Sequence, residues 1–316
     1  TRFCQVTGVQ TCALPICVGS ELSCSERYRH RLLQQISARA KDRESLRDEI
    51  RQTRIYVSTL ASINGRPELF TLKRFHVAII DEASQILEPQ IIGLLPHFDR
   101  FILIGDHNQL STIVLQDASL SAIREPVLRE IGLSDCRESL FERLLRRCIA
   151  KGWDHAYTQL TRQGRMHNEL SLFPATYFYA ERLHAAQPWQ SETWKLQTAS
   201  EDLFCCTIAH KRTVFFSTEQ RQPSSSPKIN EAEAEIITRL VEALQTVYRE
   251  NGMLFDPQKT GIIAPYRNQV AMIKHRLVRT GIPEVEKIMI DTVERFQGSQ
   301  RDRKSTRLNS SHLAES

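Results

Sequence analysis

No apolar run in the 316 residues approaches the ~18 that a membrane-spanning helix needs. The eight cysteines show no zinc-ligand spacing, so a zinc module is excluded. Cys24, Cys136, Cys148, Cys205 and Cys206 read as free thiols of a reducing cytoplasm. His107 and His167 lack a nearby third ligand in sequence, and structural hydrogen-bonding roles are expected for both. No internal repeat of the solenoid type recurs. Nor does any G-x-x-x-x-G-K-[ST] phosphate loop. Nor is there a large excess of charge of one sign: 42 basic against 37 acidic residues leave +5, which permits a nucleic-acid partner without arguing for one.

Two short peptides carry most of the positive information, Asp81-Glu82-Ala83-Ser84-Gln85 and Gly105-Asp106-His107-Asn108-Gln109-Leu110. Each follows an apolar run of strand type, Val77-Ala78-Ile79-Ile80 and Phe101-Ile102-Leu103-Ile104. A strand buried in a parallel sheet reads as such a run, and ligands sit outside its carboxyl end. Acidic residues at two such ends point to a metal–nucleotide site. Asp81 suits a Mg²⁺ ligand, Glu82 a carboxylate that activates water, and Gln109 a neutral group sensing a γ-phosphate.

These peptides resemble motifs II and III of superfamily 1 helicases, in the branch of the nonsense-mediated-decay helicase and the Okazaki-fragment helicase-nuclease. Four further blocks agree, in family order over roughly residues 54 to 301. Ile55-Tyr56-Val57-Ser58-Thr59-Leu60-Ala61-Ser62 resembles the strand and loop that grip nucleic acid ahead of motif II. Gln163-Gly164-Arg165-Met166-His167, with Phe173-Pro174 and Phe178-Tyr179, resembles the arginine motif opening the second motor domain. Gly261-Ile262-Ile263-Ala264-Pro265-Tyr266-Arg267-Asn268-Gln269 and Thr292-Val293-Glu294-Arg295-Phe296-Gln297-Gly298 resemble two later motifs.

The resemblance implies an α/β fold of two RecA-like parallel-sheet domains, with ATP and Mg²⁺ as cofactors. It gives catalytic roles to Asp81, Glu82, Gln109 and Arg165, the last as an arginine finger whose planar fork binds phosphate in bidentate fashion. Nucleotide contacts fall to Asp106, Gln163, Gln297, Gly298 and Gln300, with Gly298 allowing close backbone approach. Contacts with single-stranded DNA or RNA fall to Ser58, Thr59, Pro265, Tyr266, Arg267 and Thr292; the hydroxyls suit sequence-blind phosphate binding. Phe296 reads as either core packing or base stacking. Gly164 stands where the family's base-stacking Tyr is usual. Asn108 and Ser111-Thr112 replace Lys and Pro-Pro, and Gln300 replaces an acidic residue.

The termini read differently. Codons for residues 6–16 can be chosen whose reverse complement translates as residues 302–312, in eleven positions of eleven. That pattern resembles a sequencing adapter read through at both ends. The expected organisation is an adapter-derived segment at 1–17, a partial first domain without its phosphate loop at 18–150, a partial second domain at 151–301, and a second adapter-derived segment at 302–316. Without the ends the net charge is about +3. Residues 1–17 and 303–316 are expected outside the packed core. The first sheet is expected to expose an apolar face and an unpaired edge, and the second to be short at its C-terminal side.

Periodicity predicts helices over 26–51, 86–95, 119–131, 139–150, 228 onward and 270–279, and strands over 54–58, 156–160, 214–216, 260–264 and 287–290. The Gln222-Pro223-Ser224-Ser225-Ser226-Pro227 segment reads as a loop. The function expected of the intact parent is ATP-driven movement on single-stranded nucleic acid, 5′-to-3′ by family analogy, in the cytoplasm or, in a eukaryote, the nucleus. The fragment alone is expected to hydrolyse ATP poorly. The alternative is a non-hydrolysing nucleic-acid-binding relative. An intact phosphate loop upstream in the parent gene favours the motor; a decayed one favours the binder.

Overall fold

All named strands of this computed structural model pair in parallel, in keeping with an α/β chain in which helical segments separate the strands. The structure describes residues 14–22, 24–110, 112, 114–193, 196–218, 228–296 and 307–309. The chain divides between Gln159 and Leu160 into two units.

Unit 1 contains β1 (Ile16–Val18), α1 (Leu33–Arg39), α2 (Arg43–Gln52), β2 (Tyr56–Ser58), α3 (Leu60–Asn64), α4 (Glu68–Leu72), β3 (Phe75–Ile80), α5 (Glu88–Ile91), β4 (Phe98–Leu103), α6 (Ala118–Ser121), α7 (Pro126–Glu130) and α8 (Leu140–Lys151). β1 pairs with β2, and β3 with β4 in the register Ile79↔Ile102 and Ile80↔Leu103. Ile16, Val18, Ile36, Ile50, Ile63, Leu69 and Leu94 form one core. Ile91, Leu95 and Leu140 form another, packed with Ile80 and Leu103. An aromatic group of Tyr56, Phe70, Phe75 and Phe98, centroids 5.0–5.9 Å apart, anchors the amino end of β3 and β4. Burial pushes the Tyr56 phenol up, and its hydroxyl donates to the Ile50 carbonyl at 2.6 Å.

Several expectations for unit 1 are corrected. Residues 26–51 are not one helix. A 3-10 turn at Glu26–Arg31 precedes α1, and Asp42 starts α2 with a reciprocal cap: Ser45 N–H donates to Asp42 Oδ1 at 2.7 Å, and Asp42 N–H to Ser45 Oγ at 3.2 Å. The segment 86–95 shrinks to α5, and 119–131 splits at Pro126 into α6 and α7, since proline starts a helix more readily than it continues one. β3 and β4 are not central in a wider sheet: among the described residues they pair only with each other. Val77, Ile79, Ile102 and Ile104 on one of their faces are 44–67% exposed, as expected. The N-terminal segment, however, does enter the core. Ile16 and Cys17 are buried, because Ile16-Cys17-Val18 is an apolar tripeptide that pairs with β2 and closes over α1 and α2. Packing of this kind depends on side-chain chemistry, whatever the origin of the segment.

α8 follows its sequence signals closely. Ser139 Oγ accepts from Glu142 N–H at 3.2 Å, and Gly152 ends the helix at φ 67°, with Trp153 N–H donating to the Cys148 carbonyl at 2.9 Å.

Unit 2 contains β5 (Arg162–Gln163), α9 (Asn168–Phe178), β6 (His184–Ala185), α10 (Leu203–His210), α11 (Glu231–Glu250), β7 (Gly261–Ile263), α12 (Arg267–Val278), β8 (Met289–Asp291), α13 (Val293–Phe296) and β9 (Arg307–Asn309). β5 pairs with β6, and β7 lies between β8 and β9. α11 is capped by Asn230, whose Oδ1 accepts from Glu233 N–H at 3.1 Å. It buries Ala234, Ile237 and Val241 against β7, α12 and β8, and Ala243, Leu244 and Val247 against α10. Ala232, in the first turn of α11, is exposed. The strands expected at 156–160 and 214–216 are not formed: residues 154–156 make a 3-10 turn, and Phe216 stacks on Phe204 at 5.2 Å instead of pairing its backbone. β9 gives the second sheet a strand from the tail that had been set aside, because an open edge of β7 accepts any extended backbone. The proline-serine loop 222–227 lies outside the described residues.

All six described cysteines are free thiols. No helix among the described residues is long and apolar enough to cross a membrane.

Candidate functional site

The parallel register of β3 and β4 brings the two acidic peptides to adjacent carboxyl ends. Ile104 N–H donates to the Ile80 carbonyl at 2.8 Å, and Ala83 N–H to the Ile104 carbonyl at 2.8 Å. Asp81 and Glu82 leave β3 exposed. Asp81 Oδ1 accepts from Glu82 N–H at 3.0 Å, and its second oxygen carries no hydrogen bond among the described residues. Glu82 has φ 54°, a left-handed conformation that costs a non-glycine residue of order 1–3 kcal/mol and persists where surroundings enforce it. Its Oε2 accepts from Gln85 Nε2 at 2.8 Å.

Asp106 and Gln109 leave β4 as one unit. Gln109 Nε2 donates to Asp106 Oδ2 at 2.9 Å, and Asn108 N–H to Asp106 Oδ1 at 3.0 Å. The two loops touch through Ser84, whose Oγ accepts from Asp106 N–H at 3.2 Å. Gly105 makes this contact possible: a Cβ there would lie 2.8 Å from the Ser84 backbone nitrogen. Gly105→Ala is therefore expected to force the loops apart and to destabilise the fold by about 1–3 kcal/mol, as overpacking does. Gly93→Ala is the control, since nothing lies within 4 Å of its Cβ position. Equal melting curves for the two variants would show that the close approach is unimportant.

No group of three His, Cys, Asp or Glu side chains that could hold a metal occurs among the described residues. Mg²⁺ is usually held by one or two carboxylates with phosphates and waters, not by a protein cage. The unengaged oxygen of Asp81 fits that mode. His107 is exposed, while His167 is buried: its Nδ1 accepts from Glu169 N–H at 3.2 Å, so Nε2 donates to the Glu192 carbonyl at 2.9 Å. The latter is the structural role expected of it.

In unit 2 the arginine motif is a rigid turn. Gln163 Oε1 accepts from the N–H groups of Arg165 and Met166 at 2.9 and 2.7 Å, and Gln163 Nε2 donates to the Met166 carbonyl at 2.8 Å. Gln190, fully buried, donates to the Gln163 and Met166 carbonyls at 3.0 and 2.6 Å and accepts from Ala186 and Gln187 N–H, both at 2.8 Å. The Arg165 side chain is exposed and makes no hydrogen bond or ion pair among the described residues.

The expected strand-gripping residues divide into two sets. Pro265, Tyr266 and Arg267 are exposed at the carboxyl end of β7, and Thr292 follows β8 beside them, where Ala264 N–H donates to the Asp291 carbonyl at 3.2 Å. Ser58 and Thr59 are half-buried and use their hydroxyls internally. Ser58 Oγ donates to the Val18 carbonyl at 3.1 Å, while Thr59 Oγ1 caps α3 and donates to Ser62 Oγ at 2.7 Å. Phe296 packs on Gly261, where a Cβ would meet its ring at 2.8 Å, so core packing prevails over stacking in this structure. Gln297, Gly298 and Gln300 lie outside the described residues.

Sequence reasoning missed four residues that brace these turns: Ser84, Gln85 and Gln190 through the bonds above, and Thr112, whose hydroxyl donates to the Gln85 carbonyl. Ser84, Gln85 and Thr112 sat within or beside quoted motifs without a role. Gln190 carried no signal at all, because its partners are main-chain atoms.

Models of the AAA domain match residues 20–117 and 136–303. The DNA replication ATP-dependent helicase/nuclease DNA2 of Xenopus laevis is 31% identical over 256 residues, covering 73% of this chain and 21% of that protein. Regulator of nonsense transcripts 1 of Dictyostelium discoideum is 32% identical over 248 residues, 75% of this chain and 16% of that protein. Probable helicase MAGATAMA 3 of Arabidopsis thaliana is 29% identical over 268 residues, 83% of this chain and 30% of that protein. The chain thus spans less than a third of the length of each of these relatives.

Proposed function

This chain belongs to the AAA-domain helicases of superfamily 1, in the branch of the DNA2 helicase-nucleases and the regulators of nonsense transcripts, and we propose that it is part of an ATP-driven motor on single-stranded DNA or RNA. The observation that carries the reading is the pairing of β3 and β4, which sets Asp81-Glu82 and Asp106–Gln109 on joined loops at one sheet end. In this reading residues 18–150 and 151–301 are parts of two RecA-like domains, flanked by adapter-derived ends.

Asp81 would hold Mg²⁺ with the nucleotide's phosphates, and the ion neutralises charge on those phosphates when bound. Glu82 orients and deprotonates the attacking water. Gln109 senses the γ-phosphate. Arg165 supplies positive charge to the transferring phosphoryl group. Asp106, Gln163, Gln297, Gly298 and Gln300 complete the nucleotide contacts. Tyr266 and Arg267 engage the strand by stacking and charge, with Pro265 and Thr292 on its backbone; Ser58 and Thr59 reach it through main-chain groups, since their hydroxyls donate internally.

The test is ATP hydrolysis by the full-length gene product, with and without single-stranded DNA or RNA. Turnover that rises at least tenfold with the strand and vanishes in Glu82→Gln is expected. A wild-type protein that binds the strand but never hydrolyses ATP would replace the motor with the non-hydrolysing binder.

A further inference from the structure

Thr112 lies three residues beyond Gln109, and its hydroxyl donates to the Gln85 carbonyl, 27 residues earlier in the chain. A carbonyl only accepts, so the direction of this bond is fixed. We propose that Thr112 is a positioning residue for Glu82, acting through Gln85. The loop that carries the γ-phosphate sensor thereby also sets the aim of the water-activating carboxylate. The inference rests on the role given to Glu82 above.

The segment that bears Gln85 is weak by itself. Ala83–Gln85 is a single 3-10 turn. Such turns hold poorly by themselves, and their last carbonyls lack partners within the turn. The residue before it, Glu82, is in the left-handed region, so the turn begins from a strained backbone. Its internal bonds run from Gln85 N–H to the Glu82 carbonyl at 2.9 Å and from Ile86 N–H to the Ala83 carbonyl at a longer 3.3 Å. The Thr112 hydroxyl satisfies the free carbonyl at the other side of the same residue. Gln85 is in this way fixed at both backbone groups.

A fixed Gln85 matters because Glu82 is exposed. An exposed glutamate samples several rotamers, and a single 2.8 Å bond narrows them only if the donor is itself held. Gln85 Nε2 is that donor. Removing the Thr112 hydroxyl loosens the turn, then the amide, then the carboxylate. The neighbouring link from Asp106 N–H to Ser84 Oγ ties the start of the sensor loop to the same turn. Displacement of Gln109 by a phosphate is therefore passed to Glu82 at two points, through Ser84 and through Gln85.

The experiment uses the full-length protein with Thr112→Val, Thr112→Ser, Gln85→Leu and Glu82→Gln. It measures kcat and KM for ATP at saturating single-stranded DNA or RNA. It also measures Kd for Mg-ADP and for Mg-ADP with aluminium fluoride, a mimic of the phosphoryl group in transfer. Thr112→Val is expected to lower kcat about tenfold, the size of one lost hydrogen bond acting in the transition state. It should weaken the aluminium fluoride complex by a similar factor. KM and Mg-ADP affinity should stay within about twofold of wild type, because ground-state binding is not touched. Thr112→Ser should restore both losses. Adding Thr112→Val to Gln85→Leu should change little, since both act along one route.

Unchanged kcat in Thr112→Val overturns the proposal. So does a fall in Mg-ADP affinity that accounts for the loss, or a Thr112→Ser variant as poor as Thr112→Val, which would make Thr112 a packing residue only. Full turnover in Glu82→Gln overturns the reading of Glu82 and this inference with it. An inactive Glu82→Gln beside an unaffected Thr112→Val overturns this inference alone.

Discussion

Arg165→Ala in the full-length protein is expected to reduce ATP hydrolysis by roughly 10³-fold or more, about 4 kcal/mol of transition-state stabilisation, while strand binding stays near wild type. The expectation follows from how the residue is held. Gln163 binds its backbone N–H, and Gln190 locks the turn from below, so the backbone cannot wander. The guanidinium is exposed and has no partner among the described residues. A structural arginine shows the opposite pattern, a side chain tied down by carboxylates or carbonyls, as Arg143 does. Arg165→Lys is expected to recover only part of the loss, because an ammonium keeps the charge but not the bidentate fork. Turnover within a few-fold of wild type in Arg165→Ala would remove the residue from the catalytic group. An equal loss of strand binding would mark it as part of the nucleic-acid surface.

Much of the site's first layer was legible because its signals are local. Apolar runs of four residues with acids at their ends gave β3, β4 and the position of Asp81, Glu82, Asp106 and Gln109. Ser139 before a helical pattern, and Asn230 before a stripe of period 3.6, gave the starts of α8 and α11. What failed was whatever depends on partners far away in the chain. Val214-Phe215-Phe216 has the composition of a strand, yet the stacking of Phe216 on Phe204 holds it elsewhere. Residues 86–95 are apolar enough for a helix, but Pro89 and Pro96 leave room for one turn of α-helix and a 3-10 turn. The 26–51 segment has a helical period throughout, and the reciprocal cap at Asp42 and Ser45 still divides it.

The apolar runs of β3 and β4 read as strands covered on both faces. One face is covered at its carboxyl end, where Ile80 and Leu103 pack on Ile91, Leu95 and Leu140. Val77, Ile79, Ile102 and Ile104 remain exposed on the other. The period-free run therefore described the chemistry of the strands correctly without describing their surroundings here. The termini teach the complementary lesson. A codon-level argument about the origin of residues 1–17 says nothing about packing, and Ile16 and Cys17 pack because isoleucine and cysteine are apolar. Ser84, Thr112 and Gln190, which brace the turns beside the named residues, were invisible for a related reason. Polar residues that bond to main-chain atoms need no complementary residue type, so no pair in the sequence reveals them.

Arg143→Ala is expected to destabilise unit 1 by about 3–5 kcal/mol, the cost of leaving a buried charge without its partner. Arg143 and Glu88 are 7% and 4% exposed and meet in bidentate fashion: Nε and Nη2 donate to the two carboxylate oxygens, each at 2.6 Å. The remaining nitrogen, Nη1, donates to the Ile131 carbonyl at 2.9 Å, so the guanidinium joins α5, α8 and the turn after α7. Deleting it leaves the buried Glu88 carboxylate without its partner, and frees α5, which begins three residues after Gln85. Glu88→Gln with Arg143 intact should cost less, because a neutral amide still accepts one of the bonds. Replacing both together, Glu88→Leu with Arg143→Met, should recover most of the loss, since a well-packed apolar pair often equals a buried ion pair. The measurement is the urea midpoint of the three variants, read with hydrogen exchange at α5 and α8. If Arg143→Ala and the double variant lose the same amount, the pair is not acting as a pair, and the helix contacts alone hold α5 in place. If Arg143→Ala loses under about 1 kcal/mol, the carboxylate has reached water and the interior around Glu88 is open to solvent.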